Sequence, residues 1–204
     1  MKRNDENSTN VDSVINELQE IRLTQMAKFT SVLKNIKWFH NLANPLDDLE
    51  KEISQNYISN IGFPHTNIAV INNVEEVYFI IERPEWNTNW WDAEEQLRSS
   101  LLNKALEVID ADELNHAINH ATTKAAGFAL DSISEKFSEI NYTNNFNYQY
   151  FINTLTGIAV AITYQASLVL ASGGDEKHPF TYKFELIEYG RLPLGITGNT
   201  FSVY

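Results

Sequence analysis

The chain has no cysteine among its 204 residues, which removes disulfides, thiolate nucleophiles and cysteine-ligated zinc together. It is poor in positive charge: 15 basic side chains stand against 27 acidic ones, for a formal charge of −12. A field of that sign repels nucleic-acid phosphate and anionic lipid, so neither nucleic acid nor a membrane is expected as a partner. Long apolar runs are missing too. The longest, Gly157 to Ala171, contains Thr163, Gln165 and Ser167, and it falls short of the ~18–20 residues that a membrane-spanning helix needs. The opening residues Met1-Lys2-Arg3-Asn4 have two bases with no apolar stretch behind them. No signal peptide is expected there, and a cytoplasmic protein is the expectation.

Signatures of catalysis are equally scarce. There is no Gly-x-Ser-x-Gly elbow, and Gly173-Gly174 is followed by acids, which makes it a poor phosphate cradle. The paired acids Asp47/Asp48, Glu75/Glu76 and Glu94/Glu95 read as solvated or first-turn helix charges. On a helix of residues 111–140, Glu113, His116 and His120 have ligand-like spacing. The two histidines, however, fall on the face opposite Ile118, so they are expected in solvent and no metal site or cofactor is expected.

What the chain does contain is an ordinary globular balance, 43% hydrophobic and 21% charged, enough for one well-buried domain. Residues 144–189 hold three alternating stretches. Phe146, Tyr148, Tyr150 and Ile152 form the first, Ile158, Val160, Ile162, Tyr164, Leu168 and Leu170 the second, and Phe180, Tyr182, Phe184 and Leu186 the third. A period of two predicts strands with one buried face, and places Thr181, Lys183 and Glu185 on the other. Asn67–Ile71 and Glu76–Glu82 read as a further strand pair turning at Asn72-Asn73, and Leu194, Ile196, Phe201 and Val203 as a last hairpin around Thr197-Gly-Asn-Thr200.

Helices are predicted elsewhere. Ile15, Leu18, Met26, Phe29, Leu33 and Ile36 mark a long one from about Thr9 to Trp38. Asn44-Pro45 opens a second, with Leu46, Leu49, Ile53 and Tyr57 as its stripe. Asp92 with Glu95 and Asp110 with Glu113 open two more, over residues 92–140. The fold expected is therefore α+β: an antiparallel up-and-down sheet of five or six strands packed on helices, with an N-terminal helical pair. Its parts are a disordered tail (1–8), the helical pair (9–60), and the sheet with its helical insertion at 92–140 (61–204).

Function is then expected to be binding without catalysis, through protein–protein contacts. The length of the first helix points to self-association as a homodimer, or to another protein partner. Candidate contact residues are Trp86, Trp90 and Trp91, three of the four tryptophans within six positions. The alternative is a small-ligand or enzymatic domain with a pocket between the sheet and helix 111–140, lined by Tyr148, Tyr164 and Tyr182.

Overall fold

The computed structural model describes residues 5–82, 85–138 and 147–204. Among them are seven α-helices and three short strands. In chain order these are α1 (Asp5–Val32), α2 (Asp48–Asn60), β1 (Asn67–Val70), α3 (Val74–Glu82), α4 (Thr88–Leu106), α5 (Ala111–Phe137), α6 (Tyr148–Ser172), α7 (Pro179–Glu188), β2 (Pro193–Thr197) and β3 (Thr200–Val203). The expected five- or six-stranded antiparallel sheet is wrong. What exists is a three-stranded mixed sheet in the order β1-β3-β2, with β1 parallel and β2 antiparallel to β3.

The alternating residues 148–172 form the central helix instead. Apart from Tyr150, their exposed positions, Gln149, Asn153, Gly157 and Ala161, recur every four residues, and Phe151, Leu155, Ala159 and Ile162 lie buried at helical spacing. Local chemistry fixes both ends. The Asn147 side chain accepts the Tyr150 N–H, and Gly173 adopts a left-handed conformation (φ 68°) that closes the last turn. Polar side chains on the buried faces do not need water: Thr163 Oγ1 donates to the Ala159 carbonyl (2.9 Å) and Ser167 Oγ to that of Thr163 (2.8 Å). Polar and outward are therefore not the same thing on this helix, and that is why the alternation misled. The part of the first expected strand at 144–146 lies outside the described residues.

The same correction applies to α7 and α3. Pro179 sits in the first turn of α7, behind a His178 cap, and Phe180, Lys183, Phe184 and Ile187 are buried together at spacings of three and four. Lys183, expected outward, is thus inside. At α3 the supposed turn residue Asn73 is a helix cap: its Oδ1 accepts the Glu76 N–H (2.7 Å), and Val77 and Ile81 face inward. Two expected starts also move. Asp47, not Asn44, caps α2 through a capping box with Glu50, and Asn87, not Asp92, caps α4. Asp110 does cap α5.

Helix α6 is buried by α5, α4, α1 and α7 around it. By length and composition it could cross a membrane, but those are also the requirements of a helix surrounded by others. The expected N-terminal pair does not form a unit in the packing: α1 lies on α5 and α6, whereas α2 lies on α7 and β1. Of the expected tail 1–8, residues 1–4 lie outside the described residues and α1 already runs from Asp5. The hairpin β2–β3 forms as expected, with Leu194, Ile196, Phe201 and Val203 buried.

Candidate functional site

A cavity of about 570 Å³ lies between α4 and α6, closed by Ile81 of α3, Lys183 of α7 and Pro193 and Leu194 of β2. Helix periodicity supplies its two walls. Trp90, Trp91, Glu94, Glu95 and Arg98 share one face of α4, and Thr154, Gly157, Ile158, Ala161, Ile162 and Gln165 share one face of α6. Gly157 and Ala161 keep the α6 wall low, and a Cβ added at Gly157 would meet nothing within 4 Å. Exposed Trp91 and Glu95 mark the mouth, where Arg98 Nε donates to Glu95 (2.9 Å). That hydrogen bond lowers the Glu95 carboxyl below its ordinary range.

Three indoles gather here because α4 starts against the hairpin. Trp86 bridges to Thr197, the Asn87 N–H donates to the Ile196 carbonyl (2.8 Å), and the Asn87 amide donates to that of Gly198 (2.8 Å). Trp90 lies 5.9 Å from Trp86 and 6.2 Å from Trp91, ring centre to ring centre. Gly195 is required by this arrangement. Its φ is +139°, and any Cβ would come within 2.6 Å of the Trp90 ring.

The floor is polar. Glu94 is buried, and its two oxygens divide their partners. Oε1 accepts the Tyr57 hydroxyl (2.6 Å) and Lys183 Nζ, and Oε2 accepts Gln165 Nε2 (3.1 Å). Trp90 Nε1 in turn donates to the Tyr57 oxygen (2.7 Å), so one chain of hydrogen bonds joins four elements. Lys183 Nζ lies 5.5 Å from the Trp90 ring centre and 5.6 Å from that of Tyr57, a cation seated between two π faces. Burial, together with the adjacent Glu94 charge, pushes the Tyr57 hydroxyl well above its ordinary pKa. Because Glu94 can only accept, the Gln165 amide must present its nitrogen to it. Oε1 is left buried with no hydrogen-bond partner.

Trp86, Trp90 and Trp91, singled out from the sequence, thus meet in one place. The tyrosines do not join them, and the cavity lies against α6 rather than between a sheet and helix 111–140. Tyr148, Tyr164 and Tyr182 are each partly buried against a different apolar cluster. Glu94, Lys183, Gln165 and Tyr57 were missed. A usable signal existed for Glu94: the apolar residues Leu97, Leu101 and Ala105, counted back by one and two helical turns, lead to Glu94 and Trp90. His116 and His120 are exposed, on a groove between α5 and α1 that also holds Leu23 and Met26, and Glu113 accepts from Gln19. Among the described residues no group of three or more His, Asp or Glu side chains is placed to hold a metal ion. Comparison with known proteins found no matching family model, no similar curated protein and no similar solved structure.

Proposed function

We propose that this chain is a non-catalytic binding protein whose ligand is a small, largely apolar organic molecule held between α4 and α6. The observation that carries the reading is a cavity of about 570 Å³, walled by three indoles and aliphatic side chains, with a few convergent polar groups at its floor. That combination characterises small-molecule sites, whose usual volume is about 300–1,000 Å³. Binding is favoured over turnover because the ionised floor groups are already committed to one another: Glu94 to Lys183, Tyr57 and Gln165. A general base acts on a proton within hydrogen-bond reach, and both Glu94 oxygens already hold hydrogen bonds from the protein's own side chains.

The test is titration with the neutral fluorophore N-phenyl-1-naphthylamine, read by energy transfer from tryptophan. One saturable site is expected, weakened at least tenfold by Gly157→Phe, which fills the low part of the α6 wall. Absence of saturable binding, or binding indifferent to Gly157→Phe in a folded variant, overturns the proposal.

A second reading rests on a different observation. Over residues 14–21 of α1, Val14, Ile15, Leu18 and Ile21 are all exposed, and Val14, Leu18 and Ile21 are spaced by four and three. This is helix-pairing spacing, and α1 is about 42 Å long at 1.5 Å per residue. A second copy of the same helix is its simplest cover. Sedimentation at tens of micromolar should then show a dimer that Leu18→Glu dissociates; a monomeric wild type removes this reading.

A further inference from the structure

We infer that the open edge of β1 takes up an extended basic peptide of another protein as a fourth strand of the sheet. This surface is separate from the cavity between α4 and α6, and the inference does not depend on the reading of that cavity.

The backbone leads to it. β1 is an edge strand, paired with β3 alone. The N–H groups of Asn67 and Ile71 donate to the carbonyls of Asn199 (3.0 Å) and Val203 (2.8 Å). Main-chain groups alternate in direction along a strand, so those of Ile68 and Val70 point away from β3. Among the described residues neither makes a main-chain hydrogen bond on that side. A row of unpaired N–H and C=O groups is a template for another strand. The sheet's other edge is different. Trp86 bridges to Thr197 and the Asn87 N–H donates to the Ile196 carbonyl (2.8 Å), so an extended piece of the chain already covers β2. Among the described residues β1 has no such cover, and it carries no lysine, proline or bulge to repel one.

Space and charge select the occupant. A groove of about 730 Å³ runs between α2 and β1, and Ile68, Val70 and Asn72 line it from the strand. Ile68 and Val70 are partly buried in one apolar cluster with Leu46 and Ile53. The groove therefore has an apolar floor on which alternate side chains of an added strand can lie, the arrangement that gives strand addition its specificity. The α2 wall is polar. Asp48 is paired with Lys51 (3.2 Å), whereas Glu52 is exposed and has no ion pair among the described residues. One carboxylate is left over, on a chain of net charge −12, which favours a basic peptide. The edge of a second copy would bring the same acidic wall instead.

The experiment is fluorescence anisotropy of labelled hexapeptides titrated with the full chain. The peptides have lysine at both ends, and valine, isoleucine, leucine or phenylalanine alternating with threonine between. At least one is expected to bind saturably with a Kd below about 1 mM. Methylating the backbone nitrogens of the best binder one at a time should weaken it roughly tenfold at alternate positions only, since alternate N–H groups face β1. Val70→Pro removes an outward N–H and keeps the ladder to β3, a position where an edge strand tolerates proline, and it should weaken binding by roughly tenfold or more. Glutamate in place of the end lysines should weaken binding several-fold at low salt, and Glu52→Lys should erase that preference. Absence of saturable binding, N-methyl losses without alternation, equal binding of the glutamate-ended set, a lysine preference unchanged in Glu52→Lys, or binding indifferent to Val70→Pro in a folded variant overturns the inference. If Val70→Pro does not fold, the N-methyl series on the wild type decides. If the chain alone is a dimer in sedimentation that Val70→Pro dissociates, the occupant is a second copy and the peptide proposal falls.

Discussion

Around Glu50 every polar group is satisfied. Arg191 donates Nε and an Nη to the two carboxylate oxygens (both 2.8 Å), and gives its remaining donors to the carbonyls of Asn41, Asn44 and Pro45. The Asp47 N–H adds one more bond to Glu50 (2.8 Å). Around Glu94 the ion pair is also buried, though less deeply; it borders a cavity, Lys183 keeps unused donors, and Gln165 Oε1 stands alone. The difference separates two uses of one chemistry. A saturated pair clamps the chain: Arg191, just before β2, ties the loop ahead of α2 to the hairpin. An unsaturated pair at a cavity floor has capacity left for a ligand. Buried ion pairs are weak sources of net stability, so what each one is for must be read from what surrounds it.

The largest expected effect breaks the clamp. Arg191→Met should cost about 3–5 kcal/mol in urea unfolding, because Glu50 is left charged and unpaired. The double variant Glu50→Leu/Arg191→Met should recover little of this, since three backbone carbonyls still lack their donor. At the other pair Lys183→Met should cost roughly 3 kcal/mol, yet Glu94→Gln/Lys183→Met should recover most of it. Gln at position 94 can accept from Tyr57 and donate to a flipped Gln165 amide, leaving no buried charge. Equal recovery at the two pairs would erase the distinction.

Alkaline pH separates the regions next. Tyr57 belongs to the Glu94 network, and its folded pKa is raised by burial first and Glu94 second. In the unfolded chain the hydroxyl ionises near pH 10, so the unfolded state releases a proton that the folded state keeps. Stability is therefore complete below about pH 10 and falls as pH rises toward the folded value. Ultraviolet titration of the folded chain, compared with a Tyr57→Phe variant, should find the Tyr57 hydroxyl un-ionised above about pH 10, where a free phenol is ionised.

A smaller effect has the opposite sign. Gly157→Ala should raise stability by up to about 1 kcal/mol, as should Gly127→Ala in α5, since both are helical glycines with open space at Cβ. Only the Gly157 substitution should weaken the fluorophore. A glycine retained in a helix wall at a cost in stability is what a groove kept open for an occupant requires.

The smallest effect is at α7, which carries Lys183. His178 Nδ1 accepts the Phe180 N–H (3.1 Å), a cap that only the neutral ring can make. Burial and then Lys104 lower its pKa. The contribution is thus complete above about pH 6.5 and lost as pH falls through the lower folded value. It should amount to under about 1 kcal/mol, the size of one helix cap. His178→Asp should flatten this slope in thermal melts between pH 5 and 7.

Features set by neighbouring residues were legible in the sequence. Asp110 caps α5 through its own next turn, and the β2–β3 hairpin is specified by Thr197-Gly-Asn-Thr200 and its flanking apolar residues. The central helix was not legible by hydrophobic period, because large residues surround it and its hydroxyls bond inward to the helix backbone. Its boundaries were: Asn147 and Gly173-Gly174 are cap residues, and His178-Pro179 opens α7. Weighing caps before period would have recovered both helices. The site divides in the same way. Its tryptophans lie close together in the chain, whereas Gln165 and Lys183 reach Glu94 from 71 and 89 residues away, a pairing that local pattern does not encode.

The most direct test of the central claim uses the four indole N–H resonances of the chain as probes. Trp86, Trp90 and Trp91 line the cavity, and Trp38 is bound to the Leu33 carbonyl (2.9 Å) in a different apolar cluster. In ¹H–¹⁵N spectra assigned by single Trp→Phe substitutions, titration with N-phenyl-1-naphthylamine should move the resonances of Trp86, Trp90 and Trp91 along one saturating curve and leave Trp38 in place. No movement at any of the three, or movement of Trp38 with them, would contradict the assignment of this cavity as the binding site.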